Sequence, residues 1–146
     1  MLKPDTLFSI CSAFAMIGWL LLVVSPLHKN LTKAVQIGVV PILLAMVYLY
    51  LIVLYFGDAE GGFGSLEEVM TLFSNKNVVL AGWVHYLAFD LWIGSWQLGD
   101  SRKRGINHFV IIPCMFLTFM FGPIGLLLYL IIRTVHAKKV VTDDNF

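Results

Sequence analysis

Charge is the scarcest ingredient of this sequence. Asp, Glu, Lys and Arg make up 13% of its 146 residues, against 59% hydrophobic residues. A soluble domain carries about 25% charge and about 45–50% apolar residues. A chain this short leaves much of its surface uncovered when it folds, so lipid is the expected solvent for most of it. The net charge of +1 supplies no basic face for nucleic acid, and no nucleic-acid partner is expected. Cysteine is nearly missing as well. Cys11 and Cys114 each lie inside an apolar run, which favours buried free thiols over a disulfide framework or a metal pair. The HExxH pattern and the histidine boxes of membrane di-iron enzymes are lacking, and His85, Asp90 and His108 share no metal-ligand spacing. No metal and no cofactor are expected. No internal repeat or low-complexity segment is present.

What the sequence does have is four long apolar runs. The first, 7–27, is uncharged and about 20 residues long, enough for a ~30 Å hydrocarbon core. Lys3 precedes it, so a signal peptide is the alternative, but the run exceeds the usual ~7–15-residue core and no A-x-A site follows. Pro26, His28, Lys29 and Asn30 mark its exit. The second, 37–56, holds Pro41 near its start, where proline is tolerated, and Tyr48, Tyr50 and Tyr55 toward one end, as in an interfacial aromatic belt. The third, 78–98, carries His85, Asp90 and Gln97 among Trp83, Trp92 and Trp96, and ends at Asp100, Arg102, Lys103 and Arg104. The fourth, 109–132, contains Pro113 and the break Gly122-Pro123-Ile124-Gly125, which is expected to kink or unwind it near mid-membrane.

Between the second and third runs, Ser65 followed by Glu68 is a capping-box pattern. Leu66, Val69, Met70 and Phe73 then form one apolar stripe, which predicts a short amphipathic helix over 65–74 that lies on the membrane surface or lids the bundle. The expectation is therefore an all-α, polytopic integral membrane protein: one membrane domain over 1–146, with four spanning helices and one surface helix. Four spans place both termini on one side with Lys3, Lys76, Arg133, Lys138 and Lys139. The other side has Lys29, Lys33, Arg102, Lys103 and Arg104 in shorter, denser loops. The positive-inside rule then leans toward both termini outside the cytoplasm.

Asp90 is the strongest functional signal. A carboxylate in the middle of a span costs a few kcal/mol, so it should face protein and have a partner. At 100° per residue, Trp83, Asp90, Gly94 and Gln97 share one stripe with Tyr86 beside it. The stripe suits a ligand or proton site; an interhelical hydrogen bond is the plainer reading. His85 lies about 140° away, on a second stripe with Phe89, Trp92 and Trp96. It either lines the same cavity, or snorkels or donates to a neighbouring backbone carbonyl. Asn107 and His108 sit where the fourth helix starts and can simply cap it. The Gly-Pro break is either structural or exposes backbone carbonyls to a cavity.

The segments Leu72-Phe73-Ser74, Ala81-Gly82-Trp83-Val84-His85, Phe89-Asp90-Leu91-Trp92 and Phe121-Gly122-Pro123-Ile124-Gly125-Leu126 occur in this order. Together they resemble the neoxanthin synthase family, named after a plant abscisic-acid-deficient mutant, and its bacterial relatives. The resemblance runs over nearly the whole chain, and the Trp-x-His…Asp-Leu segment is its most specific part. It implies a membrane enzyme that converts a carotenoid epoxide to an allene without net redox change. The first helix is expected to begin close to Met1, with no Ser- and Arg-rich transit peptide, which is nearer to the bacterial relatives and implies a bacterial inner membrane.

Such chemistry needs an acid for the epoxide oxygen and a base for the adjacent polyene carbon. Asp90, His85 and His108 are the catalytic candidates. Trp83, Tyr86, Phe89, Trp92, Gln97, Gly122 and Pro123 are the ligand-binding candidates. Expected partners are membrane lipid and a long apolar ligand such as a carotenoid, with a homodimer left open. The alternatives are a non-catalytic carotenoid- or lipid-binding protein or partner subunit, and a small proton-coupled transporter in which Asp90 titrates.

Overall fold

A computed structural model of the chain describes residues 3–26 and 38–136. Leu27, His28, Lys29, Asn30, Lys33, the Ile37 start of the second run, Lys138 and Lys139 lie outside the described residues. Among the described residues all regular structure is helical: α1 (Pro4–Val23), α2 (Val39–Tyr55), α3 (Leu66–Leu72), α4 (Lys76–Lys103), α5 (His108–Phe121) and α6 (Pro123–His136).

Local chemistry explains these boundaries. α1 opens on Pro4 with Asp5 in its first turn, where a missing N–H does no harm and the helix dipole favours an anion. Gly38, at φ 93°, turns the chain into α2, and Pro41 falls in that helix's first turn. Ser65 caps α3 by accepting the Glu68 N–H at 3.2 Å. The Glu68 carboxylate reaches back to the Gly64 N–H at 3.0 Å, one residue short of the usual reciprocal partner. α4 runs for 28 residues, about 42 Å, and passes the charges expected to end it. Asp100 and Arg104 pair at 2.8 Å one turn apart, and Arg102 and Lys103 occupy the last turn, where cations suit the dipole. Asn107 caps α5 by accepting the Phe109 N–H at 2.9 Å.

α1 and α4 are long and apolar enough to cross a membrane; α2, α5 and α6 are apolar but shorter. Among the described residues two helices, not the expected four, pass on length and apolarity. The fourth run is two helices of 14 residues each, about 21 Å apiece.

The chain divides into two compact units, Met1–Gly18 with Val39–Phe89, and Trp19–Gly38 with Asp90–Phe146. In the first, α1 lies parallel to the start of α4. Asp5 pairs with Lys76 at 2.8 Å, Phe8 meets Trp83 at 5.3 Å between ring centroids, and Trp83 Nε1 donates to Ser12 Oγ at 3.0 Å. α2 runs the opposite way, with Tyr48 5.4 Å from His85 and Tyr55 sharing a groove with Pro4 and Asn77. Phe73, just after α3, packs its ring against Gly82, where a Cβ would meet it at 3.0 Å. The outward faces of α1 and α2 in this unit are apolar: Ile17, Met46, Leu49 and Val53 are all exposed. An apolar face of this extent suits lipid better than water.

In the second unit α5 and α6 form a hairpin against the C-terminal half of α4. Gln97 Nε2 donates to Thr118 Oγ1 at 2.9 Å, and the Thr118 hydroxyl lies 2.9 Å from the Cys114 carbonyl. At Gly122 (φ 45°) the chain reverses. Gly125 is packed so closely on the preceding helix that a Cβ there would stand 2.1 Å from Thr118 N and 2.5 Å from the Cys114 carbonyl oxygen. α6 then runs back along α4, so that Tyr129 donates to Asp100 Oδ2 and Arg133 Nε lies 3.0 Å from the same oxygen. The Gly-Pro break is therefore a reversal rather than a kink. The hairpin ends where it began, which moves the end of α6 to the Asp100 end of α4 and away from the side expected for a fourth span. Trp19 and Leu22 of α1 close on Gly94, whose missing Cβ leaves room for the Trp19 ring. Close approach through glycine is the way helices pack where water supplies no driving force.

Candidate active site

The site is built around the tip of this hairpin. Asp90 sits near the middle of α4, and a Cβ added to Gly122 would lie 2.9 Å from its Oδ1 and 3.3 Å from its Oδ2. Only glycine offers both the left-handed φ and the space for the carboxylate. Pro123 opens α6 directly after it, at the position where its ring costs the helix nothing. The carboxylate thus sits beside the start of α6, the end of that helix that attracts negative charge. Broken helices whose ends point at a polar group are tolerated at membrane depth only where protein surrounds them, and Asp90 Oδ2 is buried. Gly122→Ala is expected to cost about 1–2 kcal/mol from the backbone alone and to displace Asp90 as well, read as a lowered thermal midpoint in detergent.

The other sequence-predicted residues fall in several places. Gln97 shares the Asp90 stripe but is completely buried, its amide engaged by Thr118. His108 Nε2 lies 2.8 Å from the Val23 carbonyl oxygen, where it ties the end of α1 to the foot of the hairpin. It is the first residue of a 14-residue helix whose other end meets Gly122, about 21 Å away along the axis. His108 and Asp90 therefore do not share a proton. Trp92 is half exposed and points away from Asp90, being two residues on and about 200° around the helix. Trp83, Tyr86, His85 and Phe89 belong to the first unit. There, Trp83 and Tyr86 lie 5.5 Å apart, and the exposed His85 ring stacks on Phe89 at 4.5 Å. Among the described residues no group of three or more His, Cys, Asp or Glu is placed to hold a metal ion.

Two features were not singled out from the sequence. In the first unit a groove of about 340 Å³ is lined by Pro4, Leu7, Met46, Val47, Tyr50, Leu51, Tyr55, Asn77 and Leu80. In the second unit Asp100 Oδ2 gathers Arg104, Arg133 and Tyr129. That cluster latches α6 to α4, and Tyr129 is fully buried beneath it. Its signal was present: Tyr129 and Arg133, four apart, share one helix face. Asp100→Asn should destabilise by about 2 kcal/mol, because it leaves two guanidinium groups facing each other with a weaker acceptor. A urea or thermal melt of the purified variant reads that loss.

Neither a curated protein nor a solved structure matches the chain. A family model described as ABA DEFICIENT 4-like matches residues 6–129, in agreement with the neoxanthin synthase resemblance of the motifs. The match begins in the first turn of α1, takes in Asp90 on α4 and the whole hairpin tip, and ends at the latch residue Tyr129, so the chain belongs to the ABA4-like family.

Proposed function

We propose that the protein is a polytopic membrane isomerase acting on an epoxide of a carotenoid or related isoprenoid, with Asp90 carrying a proton transfer. The observation that supports it most is the burial of Asp90 Oδ2 in the second unit, with the carboxylate against the glycine of a helix reversal. In this reading α1, α2 and α4 cross the bilayer and the α5–α6 hairpin enters and returns. α2, at 17 residues, sits at the short end of the spanning range. Asp90 is then at mid-membrane, where a carboxylate is costly and worth keeping only for a task.

The reaction balances without an oxidant or reductant. A proton leaves the polyene carbon next to the epoxide, its electron pair forms the new cumulated double bond, the C–O bond breaks, and the oxygen ends as a hydroxyl carrying one proton. In this proposal Asp90 takes or gives one of these protons, supported by its burial beside Gly122. His108, at the foot of the hairpin, has a positioning role instead.

Among the described residues the cations Arg102, Lys103, Arg104 and Arg133 gather at the C-terminal end of α4, while the other end has Lys76, with Asp5 as partner, and Lys3 two residues before Asp5. By the positive-inside rule the Arg102 end faces the cytoplasm, and a bacterial inner membrane suits this orientation. Expression in cells that accumulate an epoxy-carotenoid, followed by chromatography of the pigments, tests the activity. A new allenic product of unchanged mass is expected. A coloured purified protein that leaves the pigment profile unchanged would favour a binding protein instead, for which the apolar groove near Tyr50 and Leu51 is the natural seat.

A further inference from the structure

The face of α4 opposite Asp90 carries a second hollow, of about 420 Å³, whose walls are Trp92, Ser95, Trp96, Gly99, Asp100, Arg102 and Lys103. These positions fall one turn apart along a single face of the helix. The upper part is apolar and aromatic. Trp92 and Trp96 are 50% and 39% exposed, and Trp96 is held upright by an edge-on contact with Tyr129 at 5.4 Å. Gly99, one turn below, adds no side chain and leaves the depression open. The lower part is cationic. Asp100 holds Arg104 and Arg133, and Arg102 and Lys103 are exposed at the rim. Among the described residues, Arg102, Lys103, Arg104 and Arg133 gather with Asp100 at this end of the helix.

We infer that this hollow binds an anionic, phosphate-bearing membrane lipid, with the headgroup phosphate between Arg102 and Lys103 and one acyl chain along Trp92, Gly99 and Trp96. The order of the two halves is what selects a lipid: the apolar wall lies toward the middle of α4 and the cations lie at its end, so one amphipathic molecule standing upright satisfies both. Clusters of Lys and Arg just beyond a membrane helix attract anionic headgroups, and tryptophan is at home at that depth. A free phosphate would use the cations and leave the aromatic wall bare. The site needs the membrane placement of α4 proposed above, but not the isomerase chemistry, since Asp90 lies on the other face.

The full chain, reconstituted in phosphatidylcholine vesicles, tests it. Brominated phosphatidylglycerol at a small mole fraction should quench tryptophan fluorescence more than brominated phosphatidylcholine at the same fraction. The double variant Arg102→Gln with Lys103→Gln should lose that excess while keeping its helical circular dichroism. The double variant Trp92→Phe with Trp96→Phe should lose the excess quenching yet still co-purify with phosphatidylglycerol. Equal quenching by the two lipids, or an excess that survives removal of Arg102 and Lys103, overturns the site. Reversal of the excess by inorganic phosphate at matched ionic strength overturns the lipid as its occupant. Failure of the pigment assay together with a positive quenching result would remove the isomerase reading and leave this one standing.

Discussion

Asp90→Asn is expected to abolish epoxide conversion and to leave the protein folded. Asn matches Asp in size, so the contact with Gly122 and the reversal into α6 should persist. What disappears is the ability to accept and return a proton. General acid–base catalysis contributes about 10²–10⁴-fold to rate, so kcat should fall by that order while substrate retention on the purified protein changes little. Two controls separate this from a structural role. The thermal midpoint in detergent should stay near that of the unsubstituted protein, because removing a charge from a costly site does not by itself weaken the helices around it. His108→Gln should behave in the opposite way, with reduced stability from the lost tie to Val23 and chemistry largely intact once folded. Should the Asp90 variant instead lose stability and keep turnover, the carboxylate would be a structural hydrogen-bonding group and the mechanism would have to be sought elsewhere.

The helical class was legible in the sequence because uncharged runs near 20 residues leave lipid-solvated helix as the economical way to satisfy the backbone. The start of α3 was legible too, since the Ser65–Glu68 spacing is a local device that works the same in any surroundings. The direction of the chain after Gly122 was not. A Gly-Pro break permits a kink, an unwinding or a reversal, and only the surroundings choose among them. Here the choice is made by Gly125 against Thr118 and by Arg133 and Tyr129 on Asp100, contacts between residues that a hydropathy run treats as independent. The same limit applies to the candidate site. The stripe logic put Asp90 and Gln97 on one face of α4 correctly, yet could not tell that Gln97 would be engaged by Thr118 while Asp90 met a helix break. Nor could it tell that His108 would stand a whole helix length from the carboxylate.

The hairpin itself makes the second large prediction. Gly125→Ala places a methyl group 2.1 Å from the Thr118 backbone nitrogen, 2.3 Å from the Thr118 hydroxyl oxygen and 2.5 Å from the Cys114 carbonyl oxygen, and two of these three atoms are backbone. The backbone nitrogen and carbonyl oxygen cannot swing aside as a side chain can, so α5 and α6 must separate. Overpacking of this kind costs about 1–3 kcal/mol, and the backbone obstacle puts this case at the upper end, about 3 kcal/mol. Gly57→Ala is the matched control: nothing lies within 4 Å of its added Cβ, and the change should stay within about 0.5 kcal/mol. Topology gives an independent readout. In the protein with Gly125 intact, cysteines introduced as Val135→Cys and Lys103→Cys, both at exposed positions, should react with a membrane-impermeant maleimide from the same side of sealed vesicles. The latch at Asp100 holds the end of α6 beside the end of α4, so the two labels cannot be on opposite faces unless the hairpin opens. Labelling from opposite sides would mean that α5 and α6 cross the bilayer as one kinked span, and Asp90 would lose the helix reversal that defines its surroundings.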